Sequence, residues 1–192
     1  MSVSNVPPAR TWPRFRGLWP VWLPPMLADL GAWRLDLTPL GALFVHVALF
    51  ILIFRWWHQA VHHPASGRLN RQHRIHHEQN YPPERFTSAR YLADPGFAQE
   101  AALVGGLVSL LVASWALGTP LMTLALAGGM CTGTLVFGAT LHRAQHVSPH
   151  PWERYAWFRH LRTLHLRHHE DVRVNYGIAD SAYDAVFGTL RE

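Results

Sequence analysis

The chain alternates between uncharged apolar stretches and polar, histidine-rich ones. Residues 38–54 carry no charge, which predicts a membrane-spanning helix at the short end of the roughly 17–25 residues needed. The Arg-Trp-Trp sequence at 55–57 is expected to anchor this helix at the membrane surface. Residues 101–141 form the longest uncharged stretch, divided by Gly-Thr-Pro at 118–120. Because Gly and Pro interrupt helices, this stretch is predicted to be a transmembrane hairpin with a tight turn.

The N-terminal residues have a different pattern, being rich in Pro, Trp and Arg. Their apolar part, residues 18–33, is short and contains three prolines, so an interfacial or re-entrant segment is expected there. The chain is therefore divided into this segment, at 1–37, and a membrane catalytic domain at 38–192. The side of the membrane on which the N-terminus lies stays open.

The polar segments, 56–99 and 142–192, both emerge on the same side of the membrane in this topology. They are rich in arginine, and basic residues beside apolar spans are typical of the cytoplasmic face. Every one of the 17 basic residues is Arg, which suggests a bacterial protein of the inner membrane. The net charge of +5 is assigned to membrane flanks and not to nucleic-acid binding. The predicted fold is all-α: an integral-membrane helical bundle with a cytosolic, histidine-rich helical cap.

Histidine carries the chemistry of this sequence. Of the 14 histidines, ten fit a pattern that occurs twice, HxxxH followed by HxxHHE. On a helix, residues four apart lie about 40° apart around the axis, and the histidines of HxxHH fall within about 100°. Each box is therefore expected to direct several imidazole nitrogens at one place. The ten histidines are His58, His62, His73, His76 and His77 in the first repeat, and His142, His146, His165, His168 and His169 in the second.

Ten imidazoles are too many for a single metal ion. Neutral imidazole is a good ligand for iron, zinc, copper and nickel, and a catalytic zinc ion with four positions keeps one of them open. Two ions sharing about ten ligands is the simplest count, and unrelated surface histidines would not repeat four boxes in order. The sequence therefore predicts a dimetal centre in the cap, and it identifies no catalytic residue beyond that centre.

A dimetal centre at a membrane surface points to oxidation of an apolar molecule. Two iron ions can use O2 to take hydrogen from an unactivated C–H bond, which acid–base side chains cannot do. A lipid can reach such a site from the bilayer, while electrons arrive from a separate donor protein. The prediction is a di-iron lipid hydroxylase. The alternatives are desaturation or another lipid oxidation on the same scaffold, and a non-catalytic metal- or haem-binding membrane protein.

Four segments resemble the fatty acid hydroxylase/sterol desaturase superfamily: RWWHQAVHHP at 55–64, HRIHHE at 73–78, HRAQH at 142–146 and WFRHLRTLHLRHHEDVRVNYG at 157–177. The closing DAVFGTL at 184–190 is similar to the family's C-terminal signature. The resemblance covers roughly residues 50–190. It implies a membrane bundle with a cytosolic dimetal lobe that oxidises lipids or sterols with O2 and external electrons. The implied cofactors are two iron ions, with zinc a substitute that purification can introduce.

The resemblance also implies metal-ligand roles for nine of the ten box histidines and leaves the tenth open. The internal repeat favours His62, whereas some family members have HxxxxH, which selects His63. Polar side chains next to the boxes are candidates for hydrogen bonds that orient the ligand imidazoles. These candidates are Glu78, Glu170, Asp171 and Asn175.

Overall fold

The computed structural model describes residues 39–94 and 98–192, so the segment predicted at 1–37 lies outside the described residues. Within those ranges the chain is helical without strands, and Ser88 and Val147 form an isolated parallel bridge. The all-α prediction is therefore confirmed. The α-helices of the described ranges are α1 (Pro39–Val61), α2 (Arg68–Ile75), α3 (Ala98–Ala116), α4 (Leu121–Gln145), α5 (Ala156–Glu170) and α6 (Ala182–Val186).

The apolar helices follow the predicted spans. Among the described residues, α1 and α4 are long and apolar enough to cross a membrane, over Leu43–Val61 and Leu121–Gln145. The apolar part of α3 is shorter, at Ala101–Ala116. A tight turn joins α3 to α4, and Gly118 adopts a φ of 92° there, a conformation that favours glycine. The predicted helical hairpin is thus confirmed.

Helix α1 extends further than its uncharged stretch predicts. It continues to Val61, and Arg55 and Trp57, which were expected at the membrane surface, are 3% and 7% exposed. Arg55 forms an ion pair with Asp184 inside the fold, and the anchoring role of this sequence stays a prediction. The longer helix carries His58 directly from the bundle into the cap.

Helix α4 packs against both α1 and α3. Phe50, Leu107 and Cys131 form a buried apolar group where the three helices meet. The α3–α4 contact is close at Gly128, since an added Cβ there would lie 3.2 Å from Leu111 Cδ1. A small residue at this position therefore lets the two helices of the hairpin approach each other.

The cap is fixed on the end of α4 by an arginine of α5. Arg162 Nε donates to the carbonyl oxygen of Gln145 at 2.9 Å, and Nη2 donates to that of Ala144 at 3.1 Å. These carbonyls belong to the last turn of α4, where helical partners are missing and a positive charge is favourable. Helix α5 is thereby held over the point where His142 and His146 emerge from the bundle.

Candidate metal centre

Nine box histidines converge in two groups at the ends of α1 and α4. Within each group, one nitrogen from every residue lies within 4.8 Å of the others, which suits an ion bound about 2.1 Å from each nitrogen. The five-histidine cluster consists of His58, His62, His73, His77 and His168. The four-histidine cluster consists of His76, His142, His146 and His165.

Each cluster is built mainly from one repeat and contains one histidine from the other repeat. His168 joins the cluster formed by the first repeat, and His76 joins the cluster formed by the second. Both are the middle histidine of HxxHH. On a helix, residues i+3 and i+4 lie on opposite sides of residue i, about 100° apart, so neighbours can face different groups. The expectation that each box directs its histidines at one place is therefore wrong for the middle residue.

The first HxxHHE box also departs from α-helical geometry. Helix α2 ends at Ile75, and His76–Asn80 form a π-helical turn. The second box lies entirely within α5. Short π-helical turns are frequent at functional sites, where they redirect side chains. The prediction of three histidines on one α-helix is therefore correct for the second box only.

His62 and His146 occupy equivalent central positions in the two clusters. His62 Nε2 lies 2.9 Å from His168 Nε2 and 3.0 Å from His73 Nε2. His146 Nε2 likewise lies 3.1 Å and 3.0 Å from the Nε2 atoms of two neighbours. These neighbours are His76 and His165. The short nitrogen–nitrogen distances show ring atoms that point towards a common centre in each cluster.

Burial lowers the pKa of seven box histidines outside the membrane-spanning helices and keeps them in the neutral form. Loss of solvation is the largest effect that lowers their pKa, and repulsion from neighbouring histidines lowers it further. The pKa of His169 falls to about 3. Metal binding requires the neutral ring, so at neutral pH each of these seven rings can present a lone pair to a metal ion. The pKa is lowered in the same direction for His62, His73, His77, His146, His165 and His168.

Several buried ring nitrogens in this region have no hydrogen-bond partner among the described residues. A buried polar atom without a partner costs free energy, and a metal ion bound to the lone pair would remove that cost. The donor set of neutral imidazoles therefore fits transition-metal ions such as iron or zinc. The unpartnered atoms are His58 Nε2, His77 Nδ1 and Nε2, His142 Nε2, His165 Nδ1 and His169 Nε2.

Backbone carbonyls orient two rings of the five-histidine cluster. His58 Nδ1 donates to the carbonyl oxygen of Tyr176 at 2.7 Å, and His168 Nδ1 donates to that of Val174 at 2.7 Å. A proton held on Nδ1 leaves the lone pair on Nε2. These two bonds therefore set the tautomer and direct Nε2 of each ring into the cluster.

The four-histidine cluster is oriented by a different part of the chain. His146 Nδ1 donates to the carbonyl oxygen of Phe86 at 3.0 Å, and His76 Nδ1 lies 3.2 Å from the Asp94 carboxylate. Asn80 Nδ2 donates to the same carboxylate at 2.9 Å. Sequence reasoning missed Asp94, because it lies 18 positions after His76 in a loop that carries no box motif.

Two buried tyrosines also lie against the clusters, each beside histidines of both repeats. The Tyr81 ring stacks on His146 at 3.9 Å, and its carbonyl oxygen accepts a hydrogen bond from His169 Nδ1 at 2.8 Å. The Tyr176 ring lies 6.3 Å from that of His58. No motif pointed to Tyr81, whereas Tyr176 belongs to the NYG sequence.

Three of the four predicted orienting side chains bond to groups other than the cluster histidines. Glu78 and Asp171 pair with arginines on the surface, at 2.8 Å and 2.7 Å. Glu170 is exposed at the end of α5. Asn175 is buried and bonds to backbone groups of Leu164 and Arg191. The described contacts of the cluster histidines instead come from carbonyls and from a more distant carboxylate.

The structure separates the two candidates for the tenth ligand. His62 lies in the five-histidine cluster, whereas His63 Nδ1 accepts a hydrogen bond from the backbone N–H of Ala65 at 3.1 Å. His169 lies at the boundary between the clusters, with its ring stacked on His77 at 3.9 Å and 4.8 Å from that of His146. The assignment of each histidine as a metal ligand stays a prediction.

An open cleft of about 480 Å³ reaches the edge of the five-histidine cluster. Its lining includes His62, His77 and His169, together with the ion pair of Arg74 and Glu78. Both members of that ion pair are more than half exposed. The cleft therefore connects the histidines with the polar surface of the cap.

Comparison with known families agrees with this geometry. The chain matches the fatty acid hydroxylase family over residues 43–189, about three quarters of its length. It belongs to the fatty acid hydroxylase family. This membership confirms the predicted superfamily and supports the coarser prediction of an oxidoreductase of lipid metabolism. The histidine clusters and the two apolar helices are those of a metal-binding membrane protein.

The dihydroceramide fatty acyl 2-hydroxylase FAH2 of Arabidopsis thaliana is similar to part of this chain. The two are 36% identical over 86 residues, which make up 42% of this chain and 35% of the relative. The matched part of the chain thus spans about a third of the length of that protein. No solved structure is significantly similar to the chain.

Proposed function

We propose that this protein is a membrane-bound hydroxylase that inserts oxygen into a C–H bond of a fatty-acyl lipid. It would use two iron ions, O2 and electrons from a separate donor protein. The observation that carries the proposal is the convergence of two imidazole clusters at the ends of α1 and α4, in a chain of the fatty acid hydroxylase family. Bound iron supplies the activation of O2 that unactivated C–H bonds require.

Each cluster would hold one ion. In this proposal the five-histidine cluster supplies a complete set, with His62 and not His63 as the tenth ligand. The four-histidine cluster gains its fifth donor from His169, the counterpart of His77 in the repeat. Support for His169 comes from its unpartnered Nε2 and from its ring, 4.8 Å from those of His146 and His165. Each repeat then contributes five ligands.

The bundle offers the acyl chain an approach from the bilayer. A crevice of about 30 Å³ lies between α1, α4 and the loop at 177–180, and its lining includes Phe54 and Gly138. Phe54 and Gly138 precede His58 and His142 by one helical turn, so an acyl chain entering here would end beside one histidine of each cluster. An added Cβ at Gly138 would meet nothing within 4 Å. The protein's part is to exclude water and to orient this chain.

The side of the cap facing away from the membrane would receive the electrons. The cleft at Arg74 and Glu78 is the described opening from the polar surface to the histidines. The arginine content of the cap supports a cytoplasmic location, and the absence of lysine supports a bacterial inner-membrane protein. In this proposal residues 38–192 form the catalytic domain, and residues 1–37 form a separate interfacial segment.

The substrate class follows from the relative. Its name describes a dihydroceramide fatty acyl 2-hydroxylase, so we propose an acyl chain hydroxylated at carbon 2. Desaturation on the same scaffold is the alternative, since both reactions begin with removal of hydrogen. A haem-binding carrier is a poor fit, because haem iron needs two axial ligands and nine histidines converge here.

The proposal can be tested by following labelled oxygen into lipid. Membranes containing the full chain would be supplied with iron(II), a reducing system and ¹⁸O2, and their lipids analysed by mass spectrometry. We expect acyl chains that gain one ¹⁸O atom. The control is His160→Ala, since His160 is exposed on α5 and lies outside the boxes; it should keep full activity. Loss of two hydrogens without a gain of oxygen would indicate desaturation. Unchanged lipids with reduced, iron-loaded protein would contradict both.

A further inference from the structure

A buried ion pair joins α1 to the C-terminal segment of the chain. Arg55 Nε lies 3.2 Å from Asp184 Oδ1, and the two side chains are 3% and 2% exposed. Arg55 Nη2 also donates to Thr189 Oγ1 at 2.7 Å, and its guanidinium lies 4.7 Å from the centre of the Phe187 ring. A charge this deeply buried is tolerated only when its donors are satisfied. Residues of the C-terminal segment satisfy two of them one helical turn before His58, and Gln59 Oε1 accepts from Nη1 at 3.2 Å.

Asp184 also holds in place the loop that contains Gly177 and contacts the histidines. Its Oδ2 accepts a hydrogen bond from the backbone N–H of Gly177 at 2.7 Å, and its Oδ1 accepts one from Thr189 Oγ1 at 2.7 Å. Gly177 is packed tightly, since an added Cβ would lie 2.0 Å from the Asp180 carbonyl oxygen. Position 177 therefore requires glycine, and the loop is held directly against the carboxylate.

The same loop orients one histidine from each repeat. The carbonyl oxygens of Val174 and Tyr176 accept the Nδ1–H bonds of His168 and His58, both at 2.7 Å. Between them, Asn175 adopts a φ of 50°, in the left-handed region. Its amide Nδ2 donates to the carbonyl oxygens of Leu164 and Arg191, and its Oδ1 accepts from the Arg191 N–H.

The four-histidine cluster has separate supports. Its described polar contacts come from the Phe86 carbonyl and the Asp94 carboxylate, and the Tyr81 ring stacks on His146. Among the described residues, no hydrogen bond joins the segment 174–191 to a histidine of this cluster. Two nearby links, from Gln145 Nε2 to the Ile178 carbonyl oxygen at 3.2 Å and from Asn175 Nδ2 to the Leu164 carbonyl oxygen at 3.1 Å, involve no imidazole. The two clusters therefore depend on different parts of the chain.

We infer that Arg55 and Asp184 are positioning residues for the five-histidine cluster alone, so that the two metal sites can be lost separately. The ion pair fixes Gly177, the loop fixes two carbonyl oxygens, and these hold His58 and His168 with Nε2 facing inward. Groups that orient metal-binding imidazoles in this way usually contribute 10- to 100-fold to affinity. The inference rests on the proposed two-ion function.

The test measures metal content in variants of the full chain. Purified protein in detergent would be stripped of metal, reloaded under anaerobic conditions with just enough iron(II) to give the wild type two ions per chain, and assayed for iron per chain. Wild type should bind two ions. Asp184→Asn keeps the size of the side chain but removes its charge, and it should reduce the content to one. The matched control is Asp171→Asn, because Asp171 lies close to the same loop but pairs on the surface with Arg173; it should keep two.

A milder pair of variants covers the case in which Asp184→Asn does not fold. Thr189→Val removes the hydroxyl that bridges Arg55 and Asp184, whereas Thr189→Ser retains it. We expect Thr189→Val to weaken one of the two iron sites by about 10-fold and Thr189→Ser to behave as wild type. Circular dichroism and thermal unfolding would show that both variants are folded.

The outcomes separate this inference from the proposed function. A folded variant that retains both ions at wild-type affinity overturns the inference alone, as does an equal loss from both sites. A wild-type chain that binds fewer than two ions overturns the two-ion function and the inference with it. Loss of one ion from Asp184→Asn or Thr189→Val, with the controls unchanged, is the expected result.

Discussion

The two histidine repeats are the same in sequence and nearly the same at the centre of the site. In each, the second histidine of HxxxH is the central residue, with two Nε2 atoms about 3 Å away. In each, the first two histidines of HxxHH lie parallel, 5.9 Å apart. His77 and His169, which occupy the same place in their repeats, stack on each other at 3.9 Å. The inner arrangement thus follows an approximate two-fold relationship.

The two repeats differ in the groups that hydrogen-bond to their imidazole rings from outside the clusters. The middle histidine of the first box, His76, faces the carboxylate of Asp94, whereas its counterpart His168 donates to a backbone carbonyl. A carboxylate partner makes an imidazole a more basic ligand than a carbonyl does. The spacing of the boxes thus determines which ring nitrogens face the centre of each cluster. The hydrogen-bond partners that orient the rings come from loops that differ between the two repeats. The two ions would therefore occupy unequal sites.

The largest expected effect tests the equivalence of the central positions. His62→Ala and His146→Ala should each reduce hydroxylation by at least about 100-fold, because each removes the central donor of a cluster. Product formation per milligram of protein in membranes would measure this. His63→Ala should retain activity, because His63 bonds to the backbone N–H of Ala65. A large loss in His63→Ala, with His62→Ala active, would reverse the assignment of the tenth ligand.

A second, smaller effect tests the inequality of the outer contacts. Asp94→Asn should weaken iron binding at the four-histidine cluster by about 10- to 100-fold, because the carboxylate no longer orients His76. Titration of metal-free protein with iron(II) should then show one weak and one unchanged site. Glu84→Gln is the control, since Glu84 is exposed in the same loop. Two unchanged sites in Asp94→Asn would show that the carboxylate has no such role.

The smallest effect is expected for Glu78, which the sequence indicated as a group that orients a ligand imidazole. Glu78 pairs with Arg74 on the surface, and exposed ion pairs contribute little to stability. Glu78→Gln should therefore leave both the iron content and the unfolding temperature unchanged within error. Metal analysis and thermal unfolding would check this. Loss of an ion in this variant would restore Glu78 as an orienting residue.

The sequence was sufficient for the parts of the molecule that periodicity controls. Apolar length predicted the helical hairpin, and the repeated boxes predicted that histidines meet at one end of the bundle. The sequence did not predict the contacts between residues that lie far apart in the chain. The roles of Asp94 and Asp184 depend on loops that place them beside residues distant in sequence, and no spacing rule connects them. The exit from α-helical geometry at His76 also depends on tertiary packing.

The crossing of the middle histidines has a mechanical consequence. His62 and His168 are 106 positions apart in the chain, so an ion bound to both would act as a cross-link between distant segments. Closing a loop of about 100 residues lowers the conformational entropy of the unfolded chain. In the chain-entropy description of disulfides, this stabilises the folded state by roughly 4 to 5 kcal/mol. The four-histidine cluster would close a second loop of this kind through His76. The two ions would then form two cross-links within the chain. Each ion would need ligands from both repeats to have its complete set.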